Sequence, residues 1–378
     1  MKKNITSKKL LALILAAAMS LSLAACGSSD GNNSGDAGRI SAESIREDNQ
    51  ITEYTAQDAS ADEADEAGTD ALENAKRTEY PVTITTYGSD GAEYTTTYEK
   101  APEKVLAVYQ GSIETLLALG LEDHIVATAG LDNEVPDEQK AAFSSVEYLD
   151  EFTPSKETAT MLEPDMIFSW VSLFRDKTLG DAQEWIDNGT NIYINTNTAV
   201  AEDSLENEYN DLLNMGIIFD VQDKAEAIVN EMKSTIETVK EQAQAAGESP
   251  SVLVLESSSD GSFANYNASS LAGDMVTQLG GTLANADGSS LGKEDVIAAN
   301  PDVIFVVYMP YTGDDPETLK QEKLDVILTD ESLASLSAVQ NGRVVPIMLS
   351  EMYASATRTQ DGIETLAKGL YPELSLGE

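Results

Sequence analysis

The sequence predicts an α/β protein of two Rossmann-like lobes with parallel-rich sheets, joined by a single long α-helix. Three observations predict it. Short apolar runs alternate with helical stretches from residue 105 to residue 370, the pattern of parallel strands covered by helices on both faces. One helical run, Gln222 to Ala246, contains no Gly or Pro and falls between two strand–helix sets. The second set also repeats motifs of the first.

The elements follow in order. Lys2, Lys3, Lys8 and Lys9 precede a short apolar core that starts at Leu10 to Leu15. This is the form of an export signal, too short for a stable membrane span. Residues 1–25 end in Leu23-Ala24-Ala25 before Cys26, which resembles the bacterial lipobox. That resemblance implies cleavage before Cys26 and acylation of its thiol. The expected location is the extracytoplasmic face of the cell membrane, with a lipid anchor. Residues 26–79 then form a lipidated cysteine and an acidic tether, with Tyr54 its only aromatic. Such a segment buries too little apolar surface to offset chain entropy, so it is expected to be a disordered spacer.

The pattern changes at Tyr80. Val82 to Tyr87 and Ala92 to Tyr98 flank Gly88-Ser89-Asp90-Gly91 and read as a β-hairpin. Strands are expected at Val105–Tyr109, Ile125–Ala129, Met166–Trp170 and Ile192–Asn195, then at Val252–Glu256, Val303–Met309 and Val344–Leu349. Helices are expected near 112–119, 155–162, 177–188, 202–215, 268–279, 293–299, 316–328 and 355–370. Between the sets, Ala225, Ile228, Val229, Met232, Ile236 and Val239 recur at helical spacing until Gly247 and Pro250 stop the run. These readings divide the body into an N-terminal lobe at 80–220, a linking helix at 221–247 and a C-terminal lobe at 248–378.

The repeat is explicit. Lys156-Glu157 is followed by Pro164-Asp165 and the strand Met166-Ile167-Phe168. Lys293-Glu294 is followed at the same spacing by Pro301-Asp302 and Val303-Ile304-Phe305. In each copy the glutamate lies in the positive first turn of a helix, and Pro-Asp closes that helix before the strand. Two related lobes around a cleft follow.

Composition narrows the chemistry. A formal net charge of -43 and a pI near 4.1 argue against nucleic acid, because phosphate binding needs a basic face. Cys26 and His124 are the only cysteine and histidine. No disulfide forms within such a chain, and a Cys/His zinc site lacks ligands. A Ser–His–Asp triad would have to use His124, which is expected at the surface. The chain reads as a binding protein and not an enzyme, with no cofactor and no metal site of its own.

The body, about 80–378, resembles the class III periplasmic binding proteins for iron–siderophore, haem and vitamin B12 uptake. The resemblance rests on Lys104-Val105-Leu106-Ala107-Val108 leading to Ser112-Ile113-Glu114-Thr115-Leu116-Leu117-Ala118-Leu119-Gly120-Leu121. It rests also on Leu162-Glu163-Pro164-Asp165-Met166-Ile167, Asn300-Pro301-Asp302-Val303-Ile304 and Asp361-Gly362-Ile363-Glu364-Thr365-Leu366-Ala367. It implies a monomeric substrate-binding lipoprotein that captures an iron–siderophore-type complex and hands it to an ABC permease and its ATPase. Cobalamin or haem on the same scaffold is the alternative. A sensory binding lipoprotein or an exported hydrolase are further ones. The resemblance also implies that Glu157 and Glu294 dock on permease arginines, one from each lobe. The zinc- and manganese-binding branch uses several histidines, and this chain departs from that pattern. A continuous helical link implies little domain closure.

Ligands of α/β folds sit at the carboxyl ends of strands. On the first lobe that rule selects Tyr109, Gln110, Trp170, Phe174 and Arg175. On the second it selects Phe263, Tyr266, Tyr308, Tyr311 and Tyr353, and the resemblance adds Arg358 at the start of the last helix. Aromatic faces suit a flat or greasy chelate and arginine suits its anionic oxygens.

Overall fold

The computed structural model describes residues 76–89, 91–353 and 356–374. The expected export signal, Cys26 and the tether before Lys76 lie outside them. Lys76 to Glu79 are not free spacer. The Thr78 amide donates to Asp220 Oδ1 at 2.6 Å and its hydroxyl donates to the Ile217 carbonyl at 2.7 Å, so the body starts before Tyr80.

The hairpin forms as the sequence predicts, from β1 (Val82–Tyr87) and β2 (Glu93–Tyr98), antiparallel. The N-terminal sheet contains β3 (Val105–Val108), β4 (Ile125–Ala129), β5 (Met166–Ser169) and β6 (Asn191–Ile194), parallel throughout in the order β4-β3-β5-β6. Among the described residues, α1 (Gln110–Ala118), α2 (Lys140–Phe143), α3 (Lys156–Leu162) and α4 (Ala182–Asp187) serve this lobe. The strands read as unbroken apolar runs because both faces are covered. Val105, Ala107, Met166 and Phe168 enter one core, while Leu106, Val108, Ile167 and Ile192 enter another.

Two helices lie between the lobes, α5 (Leu205–Phe219) and α6 (Gln222–Ala246). The C-terminal sheet follows, with β7 (Ser251–Ser257), β8 (Phe263–Asn265), β9 (Thr282–Leu283), β10 (Ser290–Leu291), β11 (Val303–Tyr308) and β12 (Val344–Met348). Its order is β10-β8-β7-β11-β12, with β9 beside β7. β7, β11 and β12 are parallel, whereas β8 and β10 are antiparallel additions absent from the sequence reading. Its helices are α7 (Leu271–Gln278), α8 (Lys293–Ala299), α9 (Pro316–Leu328), α10 (Ser337–Gln340) and α11 (Thr359–Leu370). Val252, Val254, Val303 and Phe305 face one core; Leu253, Leu255, Ile304 and Val306 face the other.

The link is more than a strut. Ala225 of α6 packs in the N-terminal core, while its Val229, Met232, Ile236 and Val239 pack in the C-terminal core. α5 divides likewise, with Leu205, Tyr209 and Leu212 in the C-terminal core and Met215, Ile218 and Phe219 in the N-terminal one. Both helices are therefore stapled into both lobes, which stiffens the joint between them.

The repeat has one structural meaning in both lobes. α3 and α8 each end on a left-handed residue, Glu163 at φ 48° and Asn300 at φ 39°. The aspartate that follows clasps the entry of the neighbouring strand. Asp165 accepts from the Glu103 and Lys104 amides at 2.8 and 2.9 Å, and Asp302 accepts from the Ser251 amide at 2.8 Å.

Candidate ligand cleft

The strands β3, β4, β5 and β11 end where the lobes meet, and the loops that leave them build the cleft. Tyr109 follows β3 with φ 73°, a left-handed conformation that costs a non-glycine residue about 1–3 kcal/mol. Its amide N–H donates to the Ala129 carbonyl at 2.9 Å and holds it there. Gly130 makes room for it: a Cβ there would stand 2.9 Å from the Tyr109 ring and 2.9 Å from the Phe152 carbonyl. The Tyr109 ring lies 5.0 Å from that of Trp170, and Trp170 meets Tyr353 of the other lobe edge-on at 5.7 Å. An aromatic row thus crosses the seam. The Trp170 Nε1 is buried there without a hydrogen-bond partner among the described residues.

A tyrosine–carboxylate cluster continues the row. Tyr266 donates to Glu256 Oε2 at 2.9 Å. Burial, then the Asp132, Glu256 and Asp314 carboxylates, pushes the Tyr311 hydroxyl above its ordinary value. Burial and Asp203 push Tyr353 upward, and exposed Arg175 pulls it back. Of the residues that the sequence nominates, the structure brings Tyr109, Trp170, Tyr311, Tyr353, Tyr266 and Arg175 to this seam. Tyr308 ends β11 half-buried, with Glu351 and Glu317 as its charged neighbours. Phe263 is buried in the C-terminal core and Phe174 packs on the N-terminal one. Asp132, Asp203 and Glu256 were not nominated. Asp132 and Glu256 follow or end strands, the same rule that nominated Tyr109.

Gln110 and Arg358 reach the seam but are engaged with the protein itself. Arg358 Nε and Nη2 donate to the two Glu114 oxygens at 2.7 and 2.6 Å, and Nη2 also donates to the Glu134 carbonyl at 2.7 Å. Gln110 donates to Glu114 Oε1 at 2.5 Å and accepts from the Asp132 and Asn133 amides at 3.1 and 3.3 Å. Burial pushes the Glu114 carboxyl up, and the Arg358 guanidinium and Gln110 amide draw it back. Arg358 thus clamps the two lobes through Glu114, with Gln110 supporting that carboxylate from the N-terminal side. The loops add Thr312 N–H to the Asp132 carbonyl at 3.1 Å, also across the seam.

Glu157 and Glu294 are each the second residue of their helix, α3 and α8, and both are exposed. The lysine before each is paired, Lys156 with Glu184 and Lys293 with Asp330, both at 2.5 Å. Among the described residues neither glutamate takes an ion pair. His124 is half-buried instead of at the surface, because its ring contacts Phe219 edge-on at 5.4 Å and Nδ1 lies 2.5 Å from the Pro102 carbonyl. No group of three or more His, Cys, Asp or Glu among the described residues is placed to hold a metal ion.

The seam is rich in buried acids, and this predicts a pH response. Burial pushes Asp132 up to about 6, Asp203 to about 7, Asp211 to about 6 and Glu208 to about 8. The folded state then holds protons that the unfolded chain releases. This stability is fully present below about 4, falls as pH rises, and stops falling above about 8, at roughly 1.4 kcal/mol per pH unit for each group engaged. The melting temperature is expected to be higher at pH 5 than at pH 8, and Glu208→Gln is expected to flatten the fall. A flat or rising profile in the parent protein would contradict the assignment.

Residues 105–348 match the model of the periplasmic binding protein family. The chain belongs to this family. A periplasmic binding protein from Veillonella parvula has the same fold, with a TM-score of 0.73, 30% identity, and coverage of 79% of this chain and 93% of that one. Among curated proteins, the uncharacterized ABC transporter substrate-binding lipoprotein YvrC of Bacillus subtilis is 24% identical over 299 residues, 78% of this chain and 87% of its own length. The petrobactin-binding protein YclQ of Bacillus subtilis is 24% identical over 278 residues, 71% of this chain and 80% of its own. Within a periplasmic binding protein, the aromatic seam between the lobes is the candidate ligand cleft.

Proposed function

We propose that this chain is the membrane-anchored, substrate-binding component of an ABC importer, and that it carries an iron–siderophore-type chelate between its lobes. It is not an enzyme in this reading. Cys26 carries the lipid, the segment up to Lys76 is the spacer, and Glu157 and Glu294 present the loaded protein to the permease and its ATPase. The observation that carries the reading is the row Tyr109–Trp170–Tyr353 across the seam of a periplasmic binding protein. Aromatic faces give a large contact area at low entropic cost to a bulky chelate. The names of YvrC and YclQ support transport and a siderophore ligand respectively.

Intrinsic fluorescence tests it. The chain has two tryptophans. Trp185 is buried with its Nε1 donating to the Leu179 carbonyl at 3.0 Å, so Trp170 is the one that ligand reaches. Ferric siderophores are expected to quench the emission saturably, and Trp170→Phe to abolish that quenching. Quenching by haem or a corrinoid alone would replace the chelate by the alternative ligand. No response to any of the three would reject the cleft assignment.

A further inference from the structure

We propose that the cleft selects a chelate bearing a protonated amine, and that Asp132 receives this ammonium; the inference rests on the chelate reading above. Asp132 follows β4 and is fixed from both lobes. Its amide donates to Gln110 Oε1 and its carbonyl accepts from the Thr312 amide. Its carboxylate is left over. The residue is only 6% exposed, yet among the described residues no hydrogen bond or cation meets that carboxylate. A carboxylate so nearly withdrawn from water and without a partner is costly, and native structures rarely keep one without a use. The next residue repeats the imbalance: Asn133 Oδ1 is buried with no donor, while its Nδ2 reaches the Met309 and Met348 sulfurs at 3.7 and 3.8 Å. Adjacent residues therefore present acceptors that lack donors. An ammonium carries three N–H groups and a positive charge, which answers the Asp132 carboxylate.

The surroundings favour the same sign. Around the Tyr311 and Tyr353 hydroxyls the charged groups are Asp132, Glu256, Asp314, Asp203 and Arg175. Arg175 is exposed, and Arg358 is neutralised by Glu114. An anionic chelate would face mostly acidic groups, with Arg175 the guanidinium beside them that no carboxylate pairs among the described residues. A cationic one gains from the carboxylates and from the electron-rich faces of the tyrosines.

The test uses two linear ferric trihydroxamates that differ only at one end, a free primary amine or its N-acetyl derivative, titrated calorimetrically into the mature protein. The parent protein is expected to bind the amine form at least tenfold more tightly. Asp132→Asn is expected to bring the two within about twofold, with an unchanged fold by circular dichroism; a tenfold preference corresponds to about 1.4 kcal/mol. Equal binding of both forms by the parent, or a preference that survives Asp132→Asn, overturns this inference and leaves the chelate reading standing. Binding of neither form, nor of an anionic ferric tris-catecholate, overturns both. Tighter binding of the tris-catecholate than of the amine overturns the charge assignment alone.

Discussion

Replacing Glu114 by alanine is expected to cost the fold about 3–5 kcal/mol, measured as a lowered denaturant midpoint at an unchanged slope. Glu114 is fully buried on α1 and Arg358 is 8% exposed before α11, 244 residues later in the chain. The substitution leaves a guanidinium in the interior that cannot give up its proton. It also frees Gln110, whose oxygen positions the Asp132 and Asn133 amides, so ligand affinity is expected to fall with stability. The double variant Glu114→Leu with Arg358→Met removes both charges. It should recover most of the loss, since a buried pair is far more costly to break than to replace by apolar side chains. A loss below about 1 kcal/mol in the single variant would put this pair among ordinary surface bridges and dissolve the clamp.

Much of the fold was legible because its strands are covered on both sides. Val105 to Val108 and Val303 to Val307 leave no polar face to confuse the period. The long helix was legible from composition and from its stop at Gly247, which sits at φ 72°. What escaped has physical reasons. β8 and β10 have three and two residues, too few for alternation to register; β8 forms on the edge of β7 and β10 on that of β8. The double allegiance of α5 escaped because its apolar positions look the same whichever core receives them. At the seam, Tyr109 and Trp170 were nominated because ligands of α/β folds gather at strand ends, and the same rule applied to β4 would have nominated Asp132. The true partner of Arg358 was out of reach of any local pattern. A signal did exist, since Glu114 sits in a helix that also carries Ile113, Leu116 and Leu117, and a carboxylate in the middle of such an apolar run calls for a cation.

Changing both Glu157 and Glu294 to alanine is expected to abolish uptake of the ligand into cells while leaving its affinity for the purified protein within about twofold. Each glutamate is exposed at the start of a helix that precedes the same Pro-Asp clasp in its own lobe. The clasp fixes the helix on its sheet, so the two carboxylates are presented by equivalent rigid scaffolds. The preceding lysines are tied to Glu184 and Asp330 and do not compete for them. A permease arginine can then take either carboxylate through two parallel hydrogen bonds. Such rim charges govern encounter and register more than they add affinity, so each single variant is expected to retain partial transport, about tenfold reduced, with a stronger salt dependence in the parent. The stability of the double variant should stay close to that of the parent, because each carboxylate contributes at most about 0.3–1 kcal/mol through the helix dipole. Charge reversal to lysine at one position should be worse than alanine, since it sets like charges against each other across the interface. Normal uptake by the double alanine variant would remove these two residues from the docking surface. A parallel loss of ligand affinity would place them in the binding machinery instead.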